Sequence, residues 1–399
     1  MKIRENQKSF RWNLRKLYAI RLFFWMFFFS SVMTVFFTQW GGLDLFQVLL
    51  LNSWFFFWNF VLEVPTVAMA DRLGRKWSLV LGSLAGTLGT VVYILKPDFR
   101  VFMAAEVIFA FAFTLHSGAD DALAYDSLVA LGRERESKSF LAHMEKFKLG
   151  GIIVATLTGG FISDRWGLAA PMAAYVIPSM LALLIALGLK EPPHSLKKKA
   201  KRPYGKILVE GIGFFRQKKI LGVLSLELAI TNAFLWALIW LFQPLLQRDG
   251  MPIRFFGIVH ALSCAGQILI LSNIAKIERV AGSKRGFLLW ATLIAGAMFL
   301  VLGLVHWLPV TILAVILGFS FGLSRMPVFT SYMNKYIPSD KRATVLSAAS
   351  MIRTFALVIM NLISGWLAKW SLSGAMTVLG AVLILLTLFS RLEEKHLKD

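Results

Sequence analysis

The stretch Asp71-Arg72-Leu73-Gly74-Arg75-Lys76 stands between two long apolar runs, and its reading decides how the chain folds. Each flanking run is long enough to cross a bilayer, since a crossing needs about 20 apolar residues. The charges between them cannot enter lipid, so the stretch marks a tight turn at a membrane surface. Two readings fit these residues taken alone: a latch between moving helix bundles, or a basic hairpin of the kind any multispan protein carries.

Outward from that turn, the composition points the same way. Of 399 residues 57% are hydrophobic, with 34 Phe and 13 Trp, more apolar surface than a soluble domain of this length can hide. The net charge of +21 would suit a nucleic-acid binder only if the cations shared one soluble face, whereas here they fall in short loops, so no nucleic-acid partner is expected. The lone Cys264 lies within an apolar run, which leaves no disulfide framework or thiolate cluster. The six His are scattered without metal spacing, and no nucleophile motif or phosphate-cradling loop is present. An enzyme, a metal site, a bound cofactor and ATP drive are therefore not expected. The first apolar segment is as long as its successors and lacks a small-residue cleavage site, so it reads as a span rather than a signal peptide.

Twelve apolar segments lie near 17–39, 46–70, 77–96, 101–127, 138–163, 169–189, 220–245, 252–275, 286–305, 307–332, 343–368 and 371–390. With both termini cytoplasmic, the outer loops hold only Lys96, Arg100, Arg165, Arg248, Arg254 and Lys369 of the 43 Lys and Arg. That asymmetry satisfies the retention of cations on the inner side. Residues 191–219 form a basic linker with Pro192-Pro193 and Lys197-Lys198-Lys199 between the halves 1–190 and 220–399. Within it Tyr204, Ile207, Leu208, Ile212 and Phe215 recur at helical spacing, which predicts an amphipathic helix on the membrane surface or, alternatively, a solvated basic loop.

The halves repeat each other. The turn at Asp71 to Lys76 has a looser copy in Glu278-Arg279-Val280-Ala281-Gly282-Ser283-Lys284-Arg285, between the eighth and ninth segments. The expected fold is all-α and integral to the membrane, with twelve helices in two pseudo-symmetric six-helix bundles, an architecture in which similar halves rock about a midplane site.

With Val67-Ala68-Met69-Ala70 before it, the turn resembles the signature loop of the major facilitator superfamily, Gly-x-Leu-Ala-Asp-Arg-x-Gly-Arg-Lys, departing only at Val67 and Met69. Leu62-Glu63-Val64-Pro65-Thr66 and the run Ser117 to Leu128 are similar to one bacterial branch of that family. The resemblance covers nearly the whole chain. It implies the twelve-span major facilitator fold and a bacterial inner-membrane transporter that works as a monomer in the lipid bilayer, using protons and a small-molecule substrate. It also implies that Asp71, Arg72, Gly74, Arg75 and Lys76 form a gating loop, with Asp71 facing the helix start near Arg342 and Ala343 and Arg75 facing Asp126. Two antiporter patterns are incomplete: Thr114 stands where an Arg is usual, and Gly151-x3-Ala155-Thr156-x2-Gly159-Gly160 keeps a glycine spacing without its Pro.

Ionisable residues inside spans are functional candidates, because each costs about 2.5–3.5 kcal/mol to insert. On one continuous fourth-span helix, Glu106, Ser117, Asp120 and Asp121 would fall within about 60° of one direction. Adjacent Asp120 and Asp121 disfavour double ionisation, which makes a proton site. The fifth span offers Glu145, Lys146 and Lys148, and Lys148 or Lys146 is expected to pair with Asp120 or Asp121; a static ion pair is the alternative. Glu106, Asp120, Asp121, Glu145 and Lys148 are thus the proton-coupling candidates, and Ser117, Glu227, Gln243, Arg325 and Arg353 the substrate-cavity candidates, with Asn361 beside them. Arg21 lies close enough to the inner end to snorkel. His116 and His260 fit hydrogen-bonded packing as well as proton shuttling, and the aromatic runs at 23–29 and 54–58 fit lipid contact or a drug-accommodating pocket. The resulting expectation is proton-coupled efflux of a small apolar or amphiphilic compound. Uptake or flipping of an amphiphile such as a sugar, siderophore or lipid, and a non-transporting sensor on the same fold, stay open at this point.

Overall fold

The computed structural model of the protein describes residues 2–192, 213, 215, 218–337, 342–390 and 392–397. Within lipid each backbone N–H and C=O must find its partner inside the chain, and a helix achieves this locally. Accordingly the elements are helices, with no strand among the described residues.

The chain divides into two compact units, Met1–Gly42 with Trp54–Ala200, and Leu43–Ser53 with Lys201–Asp399. In the first unit stand α1 (Lys2–Phe24), α2 (Leu45–Leu73), whose first turns group with the second unit, α3 (Arg75–Leu95), α4 (Phe99–His116), α5 (Ala119–Ala130), α6 (Ser137–Trp166) and α7 (Ala170–Leu187). The second holds α8 (Lys219–Arg248), α9 (Phe256–Ser272), α10 (Ile274–Val280), α11 (Lys284–Leu304), α12 (Leu308–Tyr336), α13 (Arg342–Trp370) and α14 (Leu372–Leu388). Of the expected linker helix, Phe215 is buried, whereas Tyr204, Ile207, Leu208 and Ile212 lie outside the described residues.

Among the described residues nine helices are long and apolar enough to cross a membrane, and a bent pair, Gln7–Ser31 with Met33–Trp40 at 59°, makes a tenth. Two of the expected crossings are helical but fall short of that measure. The charges Lys138, Glu145, Lys146 and Lys148 crowd the first half of α6, and α14 has 17 residues.

Two breaks shape the first unit. The first span leaves α-geometry at Trp25–Phe27 and resumes as a 3-10 turn over Phe28–Ser31. Phe24 loses its regular helical acceptor role, and its carbonyl instead takes a hydrogen bond from the buried Tyr175 hydroxyl of α7 at 2.8 Å. α6 lies directly against this segment because it presents glycine: a Cβ on Gly159 would collide with the Phe28 carbonyl, and one on Gly151 with that of Leu22. The incomplete fifth-span motif therefore keeps its glycines for close approach, and α6 continues through Ala155 and Thr156 without interruption.

The expected fourth-span helix is likewise not continuous. It stops at His116 and restarts at Ala119, with Gly118 at φ 73, a left-handed conformation that suits glycine. The Leu115 carbonyl, which would otherwise face the N–H of Ala119, accepts from Ser78 Oγ at 2.7 Å. Each broken span is thus repaired by a hydroxyl from a neighbouring helix.

Candidate functional site

The two breaks meet. The Phe24 ring stacks on His116 with centroids 3.7 Å apart, and Trp25 and Phe27 contact Phe113 edge-on and stacked, respectively. Around this junction lies a cavity of about 330 Å³ whose walls include Arg21, Trp25, Asn59, Phe113, Ser117 and both Asp120 and Asp121. Restarting at Ala119 places Asp120 and Asp121 in the first turn of α5, where the positive end of the helix dipole favours carboxylates. Asp120 Oδ1 also accepts the Asp121 N–H at 2.8 Å.

Arg21, from α1, clasps the pair. Its Nε lies 2.8 Å from Asp120 Oδ2, an ion pair without hydrogen-bond alignment, and its Nη2 donates to Asp121 Oδ1. Nη1 stands 3.9 Å from Glu145. This corrects two expectations: Arg21 does not snorkel, and the cation on the acid pair comes from the first span rather than the fifth. Lys148 turns to Glu145, 2.9 Å away one helical turn back, and lies 4.4 Å above the Trp25 ring. Arg21 reaches Asp120 because the break at Trp25 ends α1 beside α5; spacing along one helix carried no signal for that contact. The Asp120 side chain is only 7% exposed and that of Asp121 51%, so one carboxylate is sealed and the other open to the cavity.

Glu106 does not join this cluster. It is buried on α4, hydrogen-bonded to Tyr93 of α3, on the far side of the break from Asp120. His116 bonds Ser83 Oγ at 3.1 Å and packs on Phe24, yet its ring still borders the cavity.

The turn between α2 and α3 is held from within its own unit. Gly74 takes φ 94, and Arg75 donates through Nη1 to Asp126 Oδ2 and, at 2.7 Å, to the Ala122 carbonyl. Glu191, just past α7, accepts the N–H groups of Arg75 and Lys76 at 3.0 and 2.8 Å, capping α3. The side chains of Arg342 and Ala343, the expected counterpart of Asp71, lie outside the described residues. Arg72 and Asp71 are exposed at the end of α2.

In the second unit Glu394 repeats the part of Glu191, accepting the N–H groups of Lys284 and Arg285 at 3.1 and 2.8 Å. Glu278 accepts from the Tyr332 hydroxyl at 2.6 Å. Neither capping carboxylate was among the sequence candidates; the shared signal was a glutamate shortly after each half's last span. Glu227 accepts from Ser390 Oγ at 2.9 and 3.0 Å and lies 3.8 Å from Arg325 Nη2. A second cavity of about 300 Å³ is bordered by Glu227, Thr231, Thr292, Leu386, Thr387 and Ser390, without Arg325. Arg325 is fully buried over Phe329, with Nε and Nη1 lacking a hydrogen-bond partner. Arg353 donates to Ser350 Oγ at 3.1 Å, Gln243 is buried, and Asn361 donates to Asn52 Oδ1 at 2.8 Å.

Helices long and apolar enough to cross a membrane, and broken spans whose half-helix ends gather charge around a cavity, suit a membrane transporter. The Major Facilitator Superfamily profile matches residues 17–360, and the chain belongs to that family. It is 21% identical over 362 residues to an uncharacterized MFS-type transporter, YxaM of Bacillus subtilis (strain 168), covering 89% of each chain. Its fold is similar to that of the nucleoside transporter NupG, with a TM-score of 0.77 at 14% identity over 96% of this chain and 98% of that one. A D-xylose-proton symporter matches with a TM-score of 0.73 at 13% identity over 97% and 99% of the two chains.

Proposed function

We propose that this protein is a secondary active transporter that moves a small solute by alternating access, coupled to protons through Asp120 and Asp121. In this reading twelve crossings form two pseudo-symmetric six-helix bundles in the bacterial inner membrane, with both termini cytoplasmic. The observation that carries it is the clasp of Arg21 on two carboxylates where two broken helices border one cavity. Asp121, open to the cavity, takes the proton; losing its charge frees Arg21 Nη2 and leaves the pair with Asp120 to hold α1 to α5, which loosens that contact. A proton moved down the membrane potential supplies about 2.3 kcal/mol per 100 mV, enough to bias such a change. Phe24, Trp25 and Phe113 offer an apolar wall and the carboxylates a polar one, which suits a small apolar or amphiphilic compound, exported in this reading. The pair Arg75–Asp126 and the cap from Glu191 hold the gating loop in one state of the cycle.

The test uses proteoliposomes loaded with a pH-sensing dye and challenged with cationic, neutral and anionic solutes. Wild-type protein should move protons with one solute class, and Asp121→Asn should abolish that movement while solute exchange at equal pH persists. Unchanged proton movement by Asp121→Asn at every pH would remove the carboxylate from the coupling. Asn59 and Ser117 on the same cavity wall favour a second reading, uptake of a polar solute, and the direction of flux under an imposed pH gradient separates the two.

A further inference from the structure

The described residues hold a second built cavity in the first unit, away from the acid pair. It measures about 400 Å³ and is lined by Lys8, Ser9, Trp12 and Lys16 of α1 and by Gly188 and Lys190 just past α7. Among the described residues its lining contains three ammonium groups and a hydroxyl and no carboxylate. A cleft bordered by Lys8, Trp12, Arg11 and Arg15 adds two guanidinium groups, with Arg15 Cζ 5.2 Å from the Trp12 ring centroid.

The walls are tied together before any ligand arrives. The Asn13 amide both donates to the Lys190 carbonyl at 2.7 Å and accepts the Lys190 N–H at 3.0 Å, and Lys16 Nζ donates to the Gly188 carbonyl. Asn13 further reaches Ser127 Oγ of α5 at 3.3 Å. The level of the pocket is set by its two helices: the apolar run of α1 begins at Leu17 and that of α7 ends at Leu187. Both walls therefore leave the hydrocarbon at the same membrane face, at headgroup depth. Trp12, 49% exposed, stands there as interfacial tryptophans do.

We propose that this pocket binds the phosphate of an anionic phospholipid headgroup, phosphatidylglycerol or cardiolipin in chemical type. Ammonium groups and a hydroxyl suit phosphate oxygens, and an indole at the hydrocarbon boundary suits a ligand that continues into acyl chains. A free phosphate would use the cations but not that boundary. Occupancy has a structural consequence, because Lys190 is followed directly by Glu191, the cap on the turn at Arg75 and Lys76. A lipid that holds Lys190 also holds the cap.

The test is native mass spectrometry of the full-length protein released from bilayers of equal phosphatidylglycerol and phosphatidylcholine. Wild-type protein should retain phosphatidylglycerol, and Lys8→Gln with Lys190→Gln should cut retention by roughly thirtyfold, since each basic residue near a membrane surface contributes about fivefold. The control pair Lys138→Gln with Lys276→Gln, two exposed lysines outside the pocket, should leave it unchanged. Thermal unfolding in phosphatidylcholine alone verifies that both double variants fold. Equal loss in the control pair would overturn the proposal in favour of diffuse charge attraction. So would wild-type retention at the level of the Lys8, Lys190 variant, or displacement of the lipid by millimolar inorganic phosphate.

Discussion

The two units share one device and differ in another. In both, a glutamate just past the last helix caps the helix that follows the family turn: Glu191 on α3, Glu394 on α11. Their intramembrane charges diverge. The first unit breaks its fourth span at Gly118 and gathers Arg21, Asp120, Asp121 and Glu145 around a cavity. Its counterpart in the second, α12, runs unbroken from Leu308 to Tyr336 and buries Arg325 with only a distant carboxylate. What repeats is the framework that fixes the helix ends. What differs is the set of groups able to exchange a proton or hold a solute.

The largest effect expected from that contrast is the difference between removing one buried arginine and removing the other. Arg21→Ala leaves Asp120 sealed without its counter-ion, a loss on the order of 3–5 kcal/mol in thermal or denaturant unfolding. Adding Asp120→Ala should recover part of it. Arg325→Met should be near neutral or stabilising, because Nε and Nη1 lack partners and Glu227 keeps Ser390. Equal destabilisation by the two arginine variants would erase the distinction between an ion cluster and a packed cation.

A smaller effect tests the shared device. Glu191→Gln and Glu394→Gln each weaken a charged helix cap and should each cost about 0.5–2 kcal/mol in unfolding. In flux assays the two should separate, with Glu191→Gln slowing transport more, since its turn also carries the Arg75–Asp126 pair. Identical flux would reduce both to caps.

The smallest effect lies outside the spans, at Asp249. Burial would raise this carboxyl, but hydrogen bonds from Arg248 and Thr311 outweigh it and, with the charges of Arg248 and His306, hold it below the usual range. A depressed carboxyl contributes stability that is present above its unfolded-state value and is lost as pH falls through its folded value. Melting temperature should therefore decline on acidification into the range below about pH 4, and Asp249→Asn should flatten that decline. The first unit offers no clasp of this composition among its described residues, so the variant measures a contribution of the second unit alone.

Much of the fold could be read along the chain, because a bilayer makes helix placement a local matter of apolar length. Arg75 and Asp126, which the family resemblance set opposite each other, are in contact. The shared face expected for Glu106, Ser117, Asp120 and Asp121 requires one continuous fourth-span helix. A break of two residues at Ser117 and Gly118 separates Glu106 from Asp120. Neither residue announces it, since serine and glycine also occur in unbroken membrane helices.

The amino-acid sequence by itself determined the membrane class, the helical segments and the charged turn, because the cost of polar groups in lipid acts residue by residue. Only the tertiary structure decided that Arg21 answers Asp120 and Asp121, that α1 and the fourth span break side by side, and that Glu191 and Glu394 close the turns. These contacts depend on which faces approach across the packing, where Gly159 admits the Phe28 backbone and Tyr175 and Ser78 take up the carbonyls left by the breaks.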